Sequence, residues 1–298
     1  MTFSKQDIRF PVEGGIELAA WLFVPEQRSA PLPAITMAHG YGGTRYHGIE
    51  KMATFFAEAG FVVLLHDHRG FGDSGGQPRQ DINPWQQITD WRRAISYLQT
   101  RPEVDEARIG LWGTSYAGGH AIVLGATDRR LKAIVSQVPT IDGHAASLRR
   151  ITPDAVAALE ARFDADERAQ LRGEAPATQQ IVSEDASRPS TYQAADVVSF
   201  YLQPVPEGVW ENRVTLRSTR WARMYSPGEF IRRVSPTPLL MVVAEHDHTA
   251  ATDLALQAYE NALQPKQLLM IKGGHFDPYL SEFDNASRSA ADWFKAHL

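Results

Sequence analysis

The chain contains no cysteine, and this absence excludes several kinds of chemistry at once. Without cysteine the protein cannot form disulfides, thiolate metal sites or a cysteine nucleophile. A strong excess of charge is absent as well, because 30 Lys and Arg face 35 Asp and Glu, which gives a formal net charge of -5 at pH 7. A nucleic-acid-binding protein needs a basic face, so we expect no nucleic-acid partner.

Long apolar runs are also missing. Apolar runs such as "FVVLL" at 61–65 are far shorter than the about 20 residues that a membrane-spanning helix needs. The opening segment "MTFSKQDIRF" lacks the apolar core of a secretory signal. We therefore expect a cytoplasmic protein with no membrane partner, while assembly into a homo-oligomer stays open.

What the sequence does contain is an alternation of strand-like and helical segments. A chain of 298 residues, 43% of them hydrophobic, can build one large α/β core. Apolar runs predict strands at 8–12, 16–25, 33–40, 61–70, 108–115, 132–139, 238–247 and 267–275. Amphipathic segments predict helices at 48–60, 84–100, 116–127, 250–263 and 283–298. This alternation indicates a mostly parallel sheet with helices on both faces.

Residues 140–235 interrupt the alternation. This segment is polar and rich in loops, contains a charged amphipathic stretch at 154–176, and shows no strong strand pattern. Long insertions in compact domains are commonly functional lids. We therefore predict a core domain formed by 1–139 and 236–298, with 140–235 inserted as a helical cap over one edge of the sheet.

The cap carries aromatic residues that could contact a substrate. Ligand pockets are mostly apolar with a few polar anchors. The candidates for such contacts are Tyr192, Trp210, Trp221 and Tyr225. The same side chains could instead form a small core within the cap, and both interpretations stay open.

A serine within a run of small residues marks the candidate nucleophile. The stretch "LWGTSYAGGH" at 111–120 places Ser115 directly after an apolar strand and before a helix. A nucleophile elbow requires this setting, because its sharp turn lifts the hydroxyl above the sheet and leaves little room two positions before and after. Gly113 and Ala117 fill those two positions, whereas the usual second residue is glycine. The alternative is an ordinary tight turn that contains a serine.

A serine hydroxyl needs a base, and the base needs an orienting carboxylate. In this architecture the acid and the base follow the serine in the order Ser, Asp, His. Asp247 follows one buried strand, and His275 lies in a glycine-rich loop after the next. Both lie at carboxyl ends of strands, where such sites assemble. Asp253 is the alternative acid.

The glycine-rich stretch "AHGYGG" at 38–43 follows an earlier strand. Backbone N–H groups in such loops stabilise the oxyanion of a tetrahedral intermediate. We expect the N–H groups of Tyr41 and Tyr116 to be the donors, with an ordinary strand-to-helix turn as the alternative interpretation.

Two histidine pairs and one arginine offer other chemistry. His66 with His68, and His246 with His248, have a spacing that metal ligands can use. The serine, acid and base already provide an activated nucleophile, so we expect neither a metal nor another cofactor. Arg45 could meet a substrate carboxylate, although a solvated loop arginine is the simpler interpretation.

Five motifs together resemble the α/β-hydrolase superfamily, in its esterase, dienelactone-hydrolase-like and dipeptidyl-peptidase-like group. They are "HGYGG" (39–43), "DHRGFGDSGG" (67–76), "GTSYAGG" (113–119), "EHD" (245–247) and "GGHFDPY" (273–279). The resemblance covers about residues 8–140 and 236–298 and includes fungal polyketide acyltransferases. In some relatives a tyrosine hydroxyl also donates to the oxyanion, which makes the Tyr41 side chain a candidate.

The motifs and the resemblance together imply a serine hydrolase. We expect it to cleave a small-molecule carboxylic ester or thioester through an acyl-enzyme, with Ser115 as nucleophile, His275 as base and Asp247 as the orienting acid. Thioesterase, peptidase and acyltransferase activities use the same machinery. A non-catalytic ligand-binding protein on this fold is the alternative outside enzymes.

Overall fold

The computed structural model describes residues 1–26, 29–185 and 187–298. The strands are β1 (Phe3–Val12), β2 (Ile16–Pro25), β3 (Leu32–Ala38), β4 (Val62–His66), β5 (Val104–Thr114), β6 (Leu131–Gln137), β7 (Thr178–Val182), β8 (Ser190–Tyr192), β9 (Val214–Thr215), β10 (Leu239–Ala244) and β11 (Lys266–Ile271). The α-helices are α1 (Glu50–Glu58), α2 (Pro84–Gln99), α3 (Tyr116–Thr127), α4 (Gly143–Leu148), α5 (Pro153–Leu171), α6 (Ala195–Tyr201), α7 (Leu216–Met224), α8 (Thr252–Asn261) and α9 (Phe283–His297).

Eight strands form the main sheet, in the order β1-β2-β4-β3-β5-β6-β10-β11. β1 and β2 form an antiparallel hairpin, and β2 pairs antiparallel with β4. The other neighbouring strands are parallel. The predicted leading hairpin and mostly parallel sheet are therefore confirmed. The carboxyl ends of β3, β5, β10 and β11 lead into the loops that carry the candidate site residues.

Apolar side chains cover both faces of the sheet. Leu111 and Trp112 are neighbours on β5 and point to opposite faces, because successive side chains of a strand alternate. Leu111 belongs to the core that includes Trp91 of α2 and Ile122 of α3, whereas Trp112 belongs to the core that includes Phe294 of α9. All five side chains are fully buried. The continuous apolar strands of the sequence thus reflect burial on both sides.

The segment 140–235 contains helices, as predicted, and also a small sheet that the sequence did not predict. β8, β7 and β9 form this three-stranded sheet. These strands have two to five residues, and β7 reads "TQQIV". Strands this short and polar give almost no alternating pattern, and so the prediction of a helical, loop-rich cap without a strong strand missed them. No helix among the described residues is both long and apolar enough to cross a membrane.

Candidate active site

Ser115 lies on a strained turn between β5 and α3. Its backbone has φ 56° and ψ -119°, a conformation that costs free energy for any residue with a side chain. A Cβ atom on Gly113 would lie 2.2 Å from the carbonyl oxygen of Ala117, so the turn requires glycine there. The turn is fixed on both sides, because the N–H of Ser115 donates to the carbonyl of Gln137 and its carbonyl accepts from the N–H of Thr140.

His275 connects Ser115 to Asp247 through two hydrogen bonds. Nε2 of His275 lies 2.9 Å from Oγ of Ser115. Nδ1 of the same ring lies 2.7 Å from Oδ2 of Asp247. An ionised carboxylate can only accept, so Nδ1 carries a hydrogen and Nε2 of the neutral ring is free to accept from the serine hydroxyl. The geometry thus brings together the three residues selected from the sequence and places the candidate base between the candidate nucleophile and the candidate acid.

Asp247 follows β10, and its carboxylate is held in its charged form. Its Oδ1 accepts from the N–H groups of Thr249 at 2.8 Å and Ala250 at 2.7 Å. Burial acts to raise the pKa of Asp247, but the charge and hydrogen bond of His275 and the two N–H donors outweigh it, and the pKa lies below its ordinary value of 3.8. The alternative acid, Asp253, is exposed and pairs with Arg149 at 2.6 Å.

The glycine-rich loop after β3 lies directly beside Ser115. A Cβ atom on Gly40 would lie 3.0 Å from Cβ of Ser115, so the loop backbone approaches as closely as a glycine allows. The backbone N–H groups of Tyr41 and Tyr116 donate to no acceptor within the described residues. Two unpaired donors next to a serine hydroxyl are the arrangement that an oxyanion needs.

Residues of the segment 140–235 hold this loop from outside. The hydroxyl of Tyr201 donates to the carbonyl of Tyr41. The indole N–H of Trp210 donates to the carbonyl of Gly42 at 2.7 Å. A Cβ atom on Gly42 would lie 2.8 Å from Cδ1 of Ile181, so β7 also packs against the loop. The inserted segment therefore positions the backbone groups beside Ser115.

Two cavities adjoin the site. One has a volume of about 20 Å³, and Ser115 and His275 are among its lining residues. That volume is enough for a water molecule. The other has a volume of about 1090 Å³, and Tyr41 and Asp247 are among its lining residues. Tyr192 lines both cavities.

The four aromatic candidates of the cap occupy different environments. Tyr192 lines both cavities, whereas Trp221 lines neither. Trp210 is partly buried and supports the loop at Gly42. Tyr225 is fully buried, and its hydroxyl lies 2.8 Å from Nδ1 of His120 on α3. The position of Tyr192 suits contact with substrate, while Tyr225 packs in the core beneath the serine turn.

Arg45 has a different role from either one considered in the sequence. Its side chain is only 3% exposed and pairs with Asp67 at 2.5 Å and with Asp73 at 2.6 Å. Its guanidinium also lies 4.6 Å from the ring centre of Trp21. Arg45 is therefore neither solvated nor available to a substrate carboxylate. The carboxylates of "DHRGFGD" had no assigned partner in the sequence, so this buried ion pair could not be predicted.

His66 and His68 lie in a buried cluster of rings. The ring centre of His68 lies 5.2 Å from that of His66 and 4.6 Å from that of His39. Burial lowers the pKa of His66 to about 3 and that of His39 to about 3 as well. Within the described ranges, no group of three or more His, Asp or Glu is arranged to hold a metal ion. His246 and His248 are exposed on either side of Asp247.

Known proteins share this chain's sequence and architecture. The sequence profile of the X-Pro dipeptidyl-peptidase (S15 family) matches residues 14–277. The chain belongs to this family. The polyketide transferase grgF of a Penicillium species is 30% identical to this chain, and the match covers 100% of this chain and 98% of the length of grgF. The quorum-quenching protein AidA of Acinetobacter baumannii is 31% identical to this chain, and the match covers 97% of this chain and 94% of the length of AidA.

A solved structure supports the same relationship at the level of the fold. The α/β hydrolase GrgF from Penicillium sp. sh18 superposes with a TM-score of 0.86 at 29% identity and covers 99% of both chains. The α/β-hydrolase fold expected from the sequence is therefore confirmed, and with it the resemblance to hydrolases of the dipeptidyl-peptidase-like group.

Proposed function

We propose that this member of the S15 family is a serine hydrolase that cleaves carboxylic esters through an acyl-enzyme. The observation that carries the proposal is the pair of hydrogen bonds from Ser115 to His275 and from His275 to Asp247. They start at a strained turn and lie beside two backbone N–H groups that have no acceptor among the residues described. A binding protein has no need for these features together.

The proposed reaction has two stages. In the first, Nε2 of His275 takes the proton of the Ser115 hydroxyl while Oγ attacks the ester carbonyl. The N–H groups of Tyr41 and Tyr116 donate to the oxyanion. His275 then gives its proton to the departing alcohol oxygen, which leaves an acyl group on Ser115. Asp247 stays ionised and stabilises the imidazolium throughout.

The second stage releases the acyl group. His275 removes a proton from a water molecule, which attacks the acyl carbonyl. The tetrahedral intermediate collapses, Oγ of Ser115 takes the proton from His275, and the carboxylic acid departs. The cavity of about 20 Å³ beside Ser115 and His275 supports this stage, because it offers room for one water next to the base.

Acyl transfer is the second candidate. A polyketide transferase is among the relatives that align over the whole chain. The cavity of about 1090 Å³ could also hold an acceptor alcohol or thiol in place of water. Thioesters and peptide amides are further substrate classes, since the family description names a dipeptidyl-peptidase. All of these reactions pass through the same acyl-enzyme.

A fluorophosphonate probe followed by a substrate panel tests the proposal. The probe should label the wild-type protein and leave Ser115→Ala unlabelled. Ser115→Ala should also lose about 10⁴-fold or more in turnover of activated esters. Comparing ester, thioester, X-Pro anilide and added acceptor alcohols then ranks the reactions. Equal labelling of both proteins, or retained turnover in Ser115→Ala, would show that another residue is the nucleophile.

A further inference from the structure

The cavity of about 1090 Å³ has several arginines in its wall. They are Arg149, Arg150, Arg162, Arg188 and Arg223. Three of them have carboxylate partners within the described residues. Arg149 pairs with Asp253, Arg188 with Asp185, and Arg223 with Glu160. Arg150 and Arg162 have none within 4.0 Å in that part of the chain. Arg150 and Arg162 are therefore guanidinium groups without a carboxylate partner among the described residues, in a wall that also contains the carboxylates of Asp196, Glu245, Asp247 and Asp253.

Of these two arginines, Arg150 has contacts that connect it to residues around the reacting groups. Its Nη1 donates to the carbonyl of Thr249 at 3.1 Å. Thr249 lines the small cavity together with Ser115, and its N–H donates to Asp247. The Arg150 guanidinium also lies 5.5 Å from the ring centre of Tyr192. A guanidinium has five N–H donors, so most of those on Arg150 are open to a ligand.

The hydroxyl of Tyr41 is a second donor in the wall of the same cavity. The side chain is only 2% exposed, and its hydroxyl makes no hydrogen bond of standard geometry within the described residues, although the side chains of Thr191 and Thr219 lie close enough to interact with it. Burial and the neighbouring Tyr192 raise the pKa of Tyr41, whereas the side chains of Thr219 and Thr191 and then the charge of Arg150 oppose that rise. Tyr41 is therefore a neutral donor that lies within the field of Arg150. A buried hydroxyl whose hydrogen bonds are incomplete is costly, and a ligand oxygen would reduce that cost.

We propose that Arg150, with the hydroxyl of Tyr41, binds an anionic group of the substrate, a carboxylate or a phosphate. The inference rests on the proposed reaction at Ser115, whose backbone donors include the N–H of Tyr41. Tyr192 lines both cavities and would provide apolar contact between the anion and the reacting carbonyl. A planar fork of N–H donors suits both kinds of anion. The anion belongs either to the acyl group or to the leaving group.

Two matched substrate pairs distinguish those sources. For the acyl side, para-nitrophenyl hydrogen glutarate is compared with para-nitrophenyl pentanoate. For the leaving-group side, the butyrate ester of hydroxynitrobenzoic acid is compared with that of the corresponding methyl benzoate. In each pair the ratio of kcat/KM for the anionic and the neutral ester is measured after subtraction of the uncatalysed rate. Turnover of the neutral esters tests the proposed reaction, and the ratio tests the role of Arg150.

The variants are Arg150→Gln, Arg150→Lys and the neighbouring Arg149→Gln. Arg150→Gln should lower the ratio by about 10- to 100-fold in one of the two pairs, as the loss of a charged hydrogen bond predicts. Arg150→Lys should retain part of the preference because it keeps the charge without the fork. Arg149→Gln removes the same charge from an exposed ion pair and should change the ratio by less than about fivefold.

Direct binding tests the inference even if no ester is turned over. Calorimetry with glutarate and with inorganic phosphate should show binding to the wild type and at least about tenfold weaker binding to Arg150→Gln. Arg150 is exposed, so the variant is expected to fold, and thermal melting checks this. Unchanged ratios in Arg150→Gln together with no binding of either anion to the wild type would overturn the inference. An equal loss in Arg149→Gln would also overturn it, because the general charge of the cavity would then suffice.

Discussion

The indole N–H of Trp210 donates to the carbonyl of Gly42 at 2.7 Å, across 168 positions of sequence. Gly42 belongs to the loop whose Tyr41 N–H is the candidate oxyanion donor. From the sequence alone, Trp210 was a candidate either for lining a pocket or for packing within the cap. Its hydrogen bond instead indicates that Trp210 positions the loop.

Trp210→Phe should therefore lower kcat for all esters by a similar factor. The substitution removes the N–H and keeps most of the ring, and a neutral hydrogen bond is worth about 1 kcal/mol, or about fivefold. The measurement is kcat and KM for a series of para-nitrophenyl esters of increasing acyl length. The preference for one acyl length over another should stay constant. If the acyl-length preference changes while kcat for the best ester does not, Trp210 contacts the substrate and does not act through the loop.

Tyr192→Ala should alter acyl-length preference, because Tyr192 lines both cavities. A buried apolar contact is worth about 1–3 kcal/mol, so the ratio of kcat/KM for short and medium acyl chains should change about tenfold. Trp221→Ala is the control, since Trp221 lines neither cavity. If both variants lose stability and neither changes the ratio, the aromatics of this segment serve only packing.

Asp247→Asn should lower kcat by about 10³- to 10⁴-fold, since the amide loses the charge that stabilises the imidazolium. The pKa of Asp247 lies below 3.8 in the folded protein, so its ionised form is favoured and is lost only as the pH falls below that value. The loss in kcat should therefore be large at pH 5 and at pH 8 alike. Asp253→Asn is the matched control, and a comparable loss in that variant would transfer the acid role to Asp253.

The buried histidines should make the fold sensitive to acid. Burial holds the pKa of His66 and of His120 at about 3, against 6.5 for the exposed side chain. Between those values the unfolded chain binds protons that the folded chain does not, so stability is full above pH 6.5 and falls as the pH drops below it. Each such histidine contributes about 1.4 kcal/mol per pH unit over that window.

Urea unfolding of the wild type and His66→Leu between pH 7 and pH 5 measures this slope. Both ring nitrogens of His66 lack a partner within the described residues, so an apolar side chain should be tolerated. The variant should lose stability less steeply with falling pH, by about one proton. His144→Gln, at an exposed position, should keep the wild-type slope. Identical slopes in the wild type and His66→Leu would contradict a neutral buried His66.

The sequence predicted the parts of this protein that local patterns determine. The strand–turn–helix around Ser115 and the span of α3 followed from glycine placement and apolar periodicity. β7 and β9 could not be predicted, because short polar strands depend on their partners. The lack of a carboxylate partner for Arg150 among the described residues could not be recognised either, since only the folded chain shows which arginines have a carboxylate nearby. Whether Ser115, His275 and Asp247 act as predicted is left to the experiments above.

The bonds from Tyr201 and Trp210 to the loop after β3 limit how this enzyme family can be engineered. A chimera that exchanges residues 140–235 for a segment without equivalent donors would lose both hydrogen bonds and also the packing of Ile181 on Gly42. Such an exchange would change rate as well as specificity. A graft must therefore bring its own matching loop, and libraries that vary the two segments together should yield more active chimeras than libraries that vary either alone.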